Sequence, residues 1–239
     1  MIKLILNGAK GKMGQAVSSL IQTRENIEVV YGVDMDRPIA NAPKRADVIL
    51  DFSVSSALGG ILDFALPNKL PLVLATTGYS QEQLNQIAAA SKEIPILRSA
   101  TMSLGANLLM KLAREAAEIL GDDFDAEIIE KHHNQKVDSP SGVALAIAGA
   151  IASVKNINEY VYERKSVRKP RSKQEIGISS IRGGTIVGEH TAIFAGPHEI
   201  IEITHKAESR EIFANGALRA VEFIVGKPAG LYDMQDVIM

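Results

Sequence analysis

Residues 130–144 read Glu-Lys-His-His-Asn-Gln-Lys-Val-Asp-Ser-Pro-Ser-Gly-Val-Ala. His132, His133 and Lys136 fall within five residues, just ahead of a Pro-Ser-Gly helix start. An imidazole takes or gives a proton near neutrality, and a lysine serves as proton donor or fixed positive charge. A helix start offers backbone N–H groups and the positive end of a dipole to a carboxylate. This spacing therefore suits proton transfer to a bound anion. Two blander readings stand beside it, a surface histidine pair and a His-based zinc site. Adjacent histidines on a strand point to opposite faces and no third ligand of the usual type is near, so no metal is expected.

A second cluster lies at the amino end. Gly8-Ala9-Lys10-Gly11-Lys12-Met13-Gly14 follows an aliphatic run and opens a helical pattern. Glycines there allow a tight turn and let backbone N–H groups approach a pyrophosphate. The spacing is G-x-x-G-x-x-G, one place away from the usual dinucleotide fingerprint, and glycines also serve ordinary turns. Asp34 strengthens the reading, because it lies 20 residues after Gly14, where an acid can bind an adenosine ribose. Ala75-Thr76-Thr77-Gly78 and Ser99-Ala100-Thr101-Met102 end two further strand-like runs, with small and hydroxylated residues that suit a wall near a nicotinamide. Plain strand-to-helix turns look similar.

The elements that must carry these residues alternate through the first hundred positions. Ile2–Leu6, Ile27–Val33, Val48–Phe52, Leu72–Thr76 and Ile94–Leu97 read as buried parallel strands. Gly14–Thr23 and Gln81–Ser91 read as helices between them, the latter with Ser80 as N-cap and Gln83 at the capping-box position. Such alternation predicts a parallel sheet with helices on both faces, an α/β fold. After Ser103 the rhythm changes. Residues 105–120 read as a helix with its leucines, Met110 and Ile119 on one face, stopped by Gly121. Ala126–Glu130 reads as a strand, and Ser141–Ser153 as a helix with Pro140 in its first turn. Ile176–Ile181, Thr185–Phe194 and Glu199–His205 read as strands, and Glu211–Val225 as a closing helix. The second half is thus an α+β region, an open mixed sheet with helices on one side. The stretch Arg164–Lys173, with six positive residues, reads as a solvated loop, or alternatively as an anion-handling lid.

Composition narrows the classes. The chain has 239 residues, 46% hydrophobic and 23% charged, with a net charge of -2. That is the profile of a globular protein and predicts neither nucleic-acid nor membrane binding. The longest mainly apolar run, Val143–Val154, is too short to span a bilayer, and the start of the chain has no secretory pattern. A cytoplasmic location is the expectation. There is no cysteine, so disulfides, thiolate metal sites and thiohemiacetal dehydrogenase chemistry are excluded.

The 130–144 stretch resembles the signature of the dihydrodipicolinate reductase family, now called 4-hydroxy-tetrahydrodipicolinate reductase, of diaminopimelate and lysine synthesis. The family pattern is E-x-H-H-x-x-K-x-D-A-P-S-G-T-A. The resemblance runs the length of the chain, through Gly8–Gly14, Asp51-Phe52-Ser53, the Thr76-Thr77-Gly78 turn, Arg182-Gly183-Gly184-Thr185, Val187-Gly188-Glu189-His190 and Phe213-Ala214-Asn215-Gly216-Ala217. It implies hydride transfer from NADH or NADPH to a ring dicarboxylate with loss of water. It implies His132 and Lys136 as the catalytic proton-transfer groups, and His133, Gly142 and Val143 as substrate-binding residues. Gly8, Ala9, Lys10, Gly11, Lys12 and Met13, with Ala75, Thr76, Thr77, Ser99, Ala100, Thr101 and Met102, fall on the cofactor contacts. Four positions depart from the pattern: Val143 for threonine, Ser139 for alanine, Ala75 for glycine and Thr101 for asparagine.

The resemblance also implies a Rossmann-like dinucleotide domain from 1–103 and 214–239, a substrate-binding and oligomerisation domain from 104–213, and a homotetramer. Two other functions compete: another NAD(P)-dependent reductase of a small dicarboxylate, and a dinucleotide sensor without turnover. A sensor has no need of the His-His-x-x-Lys cluster.

Overall fold

Aliphatic, β-branched runs and the helices between them alternate from the first residues. The chain runs β1 (Ile2–Asn7), α1 (Lys12–Ile21), β2 (Ile27–Val33), β3 (Val48–Asp51), α2 (Leu58–Asn68), β4 (Leu72–Leu74), α3 (Gln81–Ala90) and β5 (Pro95–Arg98). It continues through α4 (Leu104–Leu120), β6 (Asp125–His132), α5 (Gly142–Ala152), β7 (Glu159–Val161), β8 (Glu175–Arg182), β9 (Gly188–Gly196) and β10 (Glu199–Ala207). It ends with α6 (Glu211–Ile224), β11 (Gly230–Tyr232) and α7 (Met234–Val237). The structure is a computed structural model that describes residues 1–166 and 168–239. Val167, inside the basic stretch, lies outside the described residues.

Two units form. One joins Met1–Leu104 to Glu211–Met239, and the other is Gly105–Arg210. The first holds a six-stranded, all-parallel sheet in the order β11-β5-β4-β3-β1-β2. Alternating strand residues feed two cores. Ile5, Ile49, Leu72 and Ile96 pack with α2 and α3 on one face. Leu4, Leu6, Leu50 and Val73 pack with Val17 of α1 and with Ala214, Ala217, Leu218 and Val221 of α6 on the other. This is the doubly wound, Rossmann-like arrangement, whose ligand crevice lies beyond the carboxyl ends of the strands where the order reverses.

The second unit holds a mixed sheet in the order β10-β9-β6-β8-β7, with β6 antiparallel to β9 and parallel to β8. Helices α4 and α5 cover one face. Along β6 the alternation buries Ala126, Ile128, Glu130 and His132. The last two carry the polar chemistry to the end of an otherwise apolar face.

Two expectations change here. The buried face of α4 is set by Ala106, Leu109, Met110, Ala113 and Ala117, whereas Leu108, Leu112 and Ile119 are exposed. Small alanines let the helix approach the sheet, so they face inward in place of some of the leucines. Pro140 precedes the helix instead of entering it, because Ser141 is the N-cap and α5 begins at Gly142. The basic stretch is, among its described residues, the largely exposed loop expected, and it also supplies ion pairs. Arg164 pairs with Glu175 at 2.6 Å and with Glu127, and Arg171 with Asp125 and Glu127.

Candidate active site

In the first unit, the β1–α1 turn is built from backbone. Gly8 has φ +81°, and a Cβ there would sit 2.7 Å from the Phe52 carbonyl oxygen. A Cβ on Gly14 would sit 2.2 Å from the Gly8 carbonyl oxygen, so α1 starts pressed against the turn. Gly11 is the N-cap and brings no side-chain cap. Its N–H goes to Gly8 O, while the N–H of Gln15 goes to Gly11 O. The N–H groups of Lys12, Met13 and Gly14 are left for an anion at the positive end of α1.

Asp34 follows β2 beside this turn. Its carboxylate accepts from the Lys10 and Met35 N–H groups, both at 2.9 Å. Those bonds hold its pKa below the usual range, Met35 first. Lys10 Nζ is bound to Asp36 at 2.6 Å, so its charge is already engaged. A cleft of about 660 Å³ runs past Gly8, Gly11, Asp34, Met35, Phe52 and Val54. It lies where β1 and β3 part, the switch point of the sheet. These features fit an adenosine and pyrophosphate.

Ala75–Thr77 and Ser99–Met102 follow β4 and β5 on the same edge but do not line the cleft. Met102 is part of the core, and its carbonyl oxygen would sit 1.7 Å from a Cβ on Gly216. Sequence reasoning missed a buried network at this edge. Asp51 accepts from Asn7 Nδ2 at 2.8 Å and from Ser53 Oγ at 2.5 Å, and so fixes the loop after β3.

In the second unit, Glu130 is fully buried and holds the site together. Arg182 grips it with two bonds of 2.7 and 2.8 Å, Ser141 N–H donates to it at 3.1 Å, and His132 Nδ1 lies 2.6 Å away. Burial alone would raise its pKa, but bonds from Arg182, His132 and Ser180 outweigh that and bring it down to about 2. Glu130 is therefore ionised, and His132 donates from Nδ1. Burial lowers the His132 pKa, helped by Lys136 and Arg182 and opposed by Glu130. The neutral ring keeps its lone pair on Nε2, which faces Gly188, where a Cβ would lie 3.1 Å from it.

Lys136 is one-fifth exposed and pairs with Asp138 at 2.9 Å. His133 Nε2 lies 3.4 Å from Arg210, which can donate to it. At the start of α5 the Ser141 N–H is taken by Glu130 and the Ala144 N–H by Ser141 Oγ. The turn leaves the N–H groups of Gly142 and Val143 over. The structure thus brings His132 and the Ser141–Val143 turn together through Glu130. Sequence reading missed Arg210, and it missed Glu130, Arg182 and His190 as a network, although the last three lay in the motif segments. Among the described residues, no group of three or more His, Asp or Glu is arranged to hold a metal.

A doubly wound parallel sheet with a glycine turn and an acid after its second strand, joined in one chain to a buried histidine–carboxylate cluster, defines the class of nicotinamide-nucleotide-dependent oxidoreductases. Models of the dihydrodipicolinate reductase amino- and carboxyl-terminal domains match residues 2–102 and 105–238, and the chain belongs to this family. The 4-hydroxy-tetrahydrodipicolinate reductase of Caldanaerobacter subterraneus subsp. tengcongensis is 50% identical, over 100% of this chain and 98% of that one. That of Clostridium novyi is 47% identical over the same shares. The dipicolinate-bound dihydrodipicolinate reductase of Paenisporosarcina sp. TG-14 superposes with a TM-score of 0.80 at 26% identity, covering 99% of each chain.

Proposed function

We propose that this chain reduces 4-hydroxy-tetrahydrodipicolinate to tetrahydrodipicolinate with NADH or NADPH, losing the 4-hydroxyl as water, in diaminopimelate and lysine synthesis. The carrying observation is His132, with Nδ1 anchored on an ionised, buried Glu130 and Nε2 left open. The bound nicotinamide supplies the hydride for ring C4. Reduction of the conjugated imine leaves a carbanion-like ring carbon that takes a proton, and His132 and Lys136 are the proposed donors. Glu130 orients the imidazole and stabilises its protonated form. The N–H groups of Gly142 and Val143, with His133 and Lys136, are the proposed partners of the substrate carboxylates. Arg210 joins them through its contact with His133.

Residues Gly8–Met13 and Asp34 are the proposed seat of the adenosine and pyrophosphate. Ala75–Thr77 and Ser99–Met102 are the proposed wall near the nicotinamide. Lys10 is held by Asp36 and the Arg37 guanidinium lies over the Tyr31 ring, so two of the three cations near Asp34 are engaged, and Lys12 is left to meet a 2′-phosphate. A modest preference for NADH follows. The dinucleotide domain is taken as 1–103 with 214–239, and the substrate and oligomerisation domain as 104–213.

A homotetramer assembled through the second unit is part of this reading. The sheet face away from α4 and α5 carries Ile129, Ile193 and Ile200 beside the Thr191–Thr204 pair. Sedimentation at micromolar concentration should give a tetramer, and a monomer would overturn the assembly. A cytoplasmic location completes the proposal. The activity is tested with substrate made in situ by the preceding synthase, following loss of reduced-nicotinamide absorbance. Pyridine-2,6-dicarboxylate, a flat ring with two carboxylates, should compete with substrate. No turnover with either nucleotide would sink the assignment.

A further inference from the structure

His190 sits on β9, opposite Glu130 on β6 and His205 on β10. It is buried, meets the His132 ring edge-on at 5.2 Å, and lies 2.9 Å from Ser141 Oγ through Nε2. Its other nitrogen, Nδ1, is buried with no partner among the described residues. Burial, helped by the neighbouring His132, pushes its pKa down to about 4, so the ring is neutral near neutrality and carries one proton. That proton has two possible places. On Nδ1 it would be a buried donor with no acceptor. On Nε2 it meets Ser141 Oγ, and only a lone pair on Nδ1 goes unused, the cheaper omission.

Ser141 Oγ then accepts twice, from His190 Nε2–H and from the Ala144 N–H at 3.2 Å. Both lone pairs of the oxygen are filled. Ser141 is itself buried, so its oxygen is an internal cap of α5. We infer that His190 is a positioning residue for substrate binding: by donating to the Ser141 hydroxyl it fixes the start of α5 and so holds the Gly142 and Val143 N–H groups in place for a carboxylate. The inference rests on the proposed reading of this turn as a carboxylate site.

The test measures the affinity of pyridine-2,6-dicarboxylate by calorimetry with saturating NADH, together with kcat and KM in the coupled assay. His190→Phe keeps the ring shape and removes the donor. It should weaken the inhibitor and raise substrate KM roughly tenfold, with kcat within about twofold and nucleotide KM unchanged. Ser141→Ala should do the same, and the double variant should be no weaker than either single one. His190→Gln, which can still donate, should recover most of the affinity.

A purely structural His190 would change the melting temperature without this split and without recovery of affinity in His190→Gln. If His190→Phe does not fold, Ser141→Ala and His190→Gln carry the same test. Wild-type affinity in folded His190→Phe and Ser141→Ala would overturn the inference. Failure of the wild type to bind the dicarboxylate would instead sink the proposed function.

Discussion

Helices α1 and α5 both open with unpaired N–H groups suited to an anion, yet the two starts are held in different ways. The α1 start is held by backbone, with Gly8 at φ +81°, Gly14 against the Gly8 carbonyl and no side-chain cap at Gly11. The α5 start is held by buried side chains, with Glu130 on the Ser141 N–H, His190 on its hydroxyl and Arg182 neutralising Glu130. A backbone cradle tolerates changes of charge and fails when an atom is added. A side-chain cradle tolerates changes of shape and fails when a charge is removed.

The sharpest test of the side-chain half is His132→Gln. It should lower kcat by about 10²–10⁴-fold with little change in inhibitor affinity. Near-normal turnover would show that the proton comes from elsewhere. Arg182→Ala should come next, since it leaves the fully buried Glu130 carboxylate without its cation. A loss of about 3–5 kcal/mol in urea unfolding is expected, and a loss under 1 kcal/mol would break the argument.

The same carboxylate sets a pH limit. The folded pKa of Glu130 is about 2 against an ordinary 4.5. A lowered pKa means that the unfolded chain binds the proton first. The contribution, about 3 kcal/mol, is therefore complete above pH 4.5 and lost as pH falls toward 2. Glu130→Gln should flatten that part of the stability curve.

For the backbone half, Gly14→Ala places a methyl 2.2 Å from a carbonyl oxygen, whereas Gly11→Ala places one at 3.2 Å. Gly14→Ala should raise nucleotide KM more than tenfold and cost about 1–3 kcal/mol of stability. Gly11→Ala should change KM by no more than a few-fold, and equal effects would contradict the close approach. The smallest effect concerns charge at this turn. Asp36→Asn frees Lys10, so the NADPH/NADH ratio of kcat/KM should rise by about three- to tenfold. The gain should shrink with added salt. An unchanged ratio would show that Lys10 does not reach the 2′ position.

Much of this was legible in the chain. The runs at Ile2–Leu6 and Ile27–Val33 became β1 and β2, and the Ser80–Gln83 capping box is formed in both directions. Helix α2 was passed over although Leu58, Ile61, Leu62 and Ala65 keep helical spacing on its buried face, because Gly59, Gly60 and Pro67 are residues that usually interrupt helices. Strands β7 and β11 have three residues each, too few to show a period. His132, His133 and Lys136 were visible because they are neighbours along the chain. Arg182 and His190 reach Glu130 only through strand register, 52 and 60 positions downstream, and spacing along a chain keeps no record of register. The face of α4 was misread for a related reason, since hydrophobicity ranks leucine above alanine and close packing reverses the order.

The return of α6 to the first sheet has a consequence for synthesis on the ribosome. Ala214, Ala217, Leu218, Val221 and Ile224 complete one of the two cores of that sheet. When residue 104 emerges, one apolar face is covered by α1 alone, and its remainder stays open until α6 is made. The intervening unit, residues 105–210, draws its core from its own continuous stretch. The later segment can therefore finish folding first, while the earlier one waits roughly ten seconds at ordinary elongation rates. During that interval the nascent first half is the part of the chain most exposed to aggregation and most in need of a chaperone.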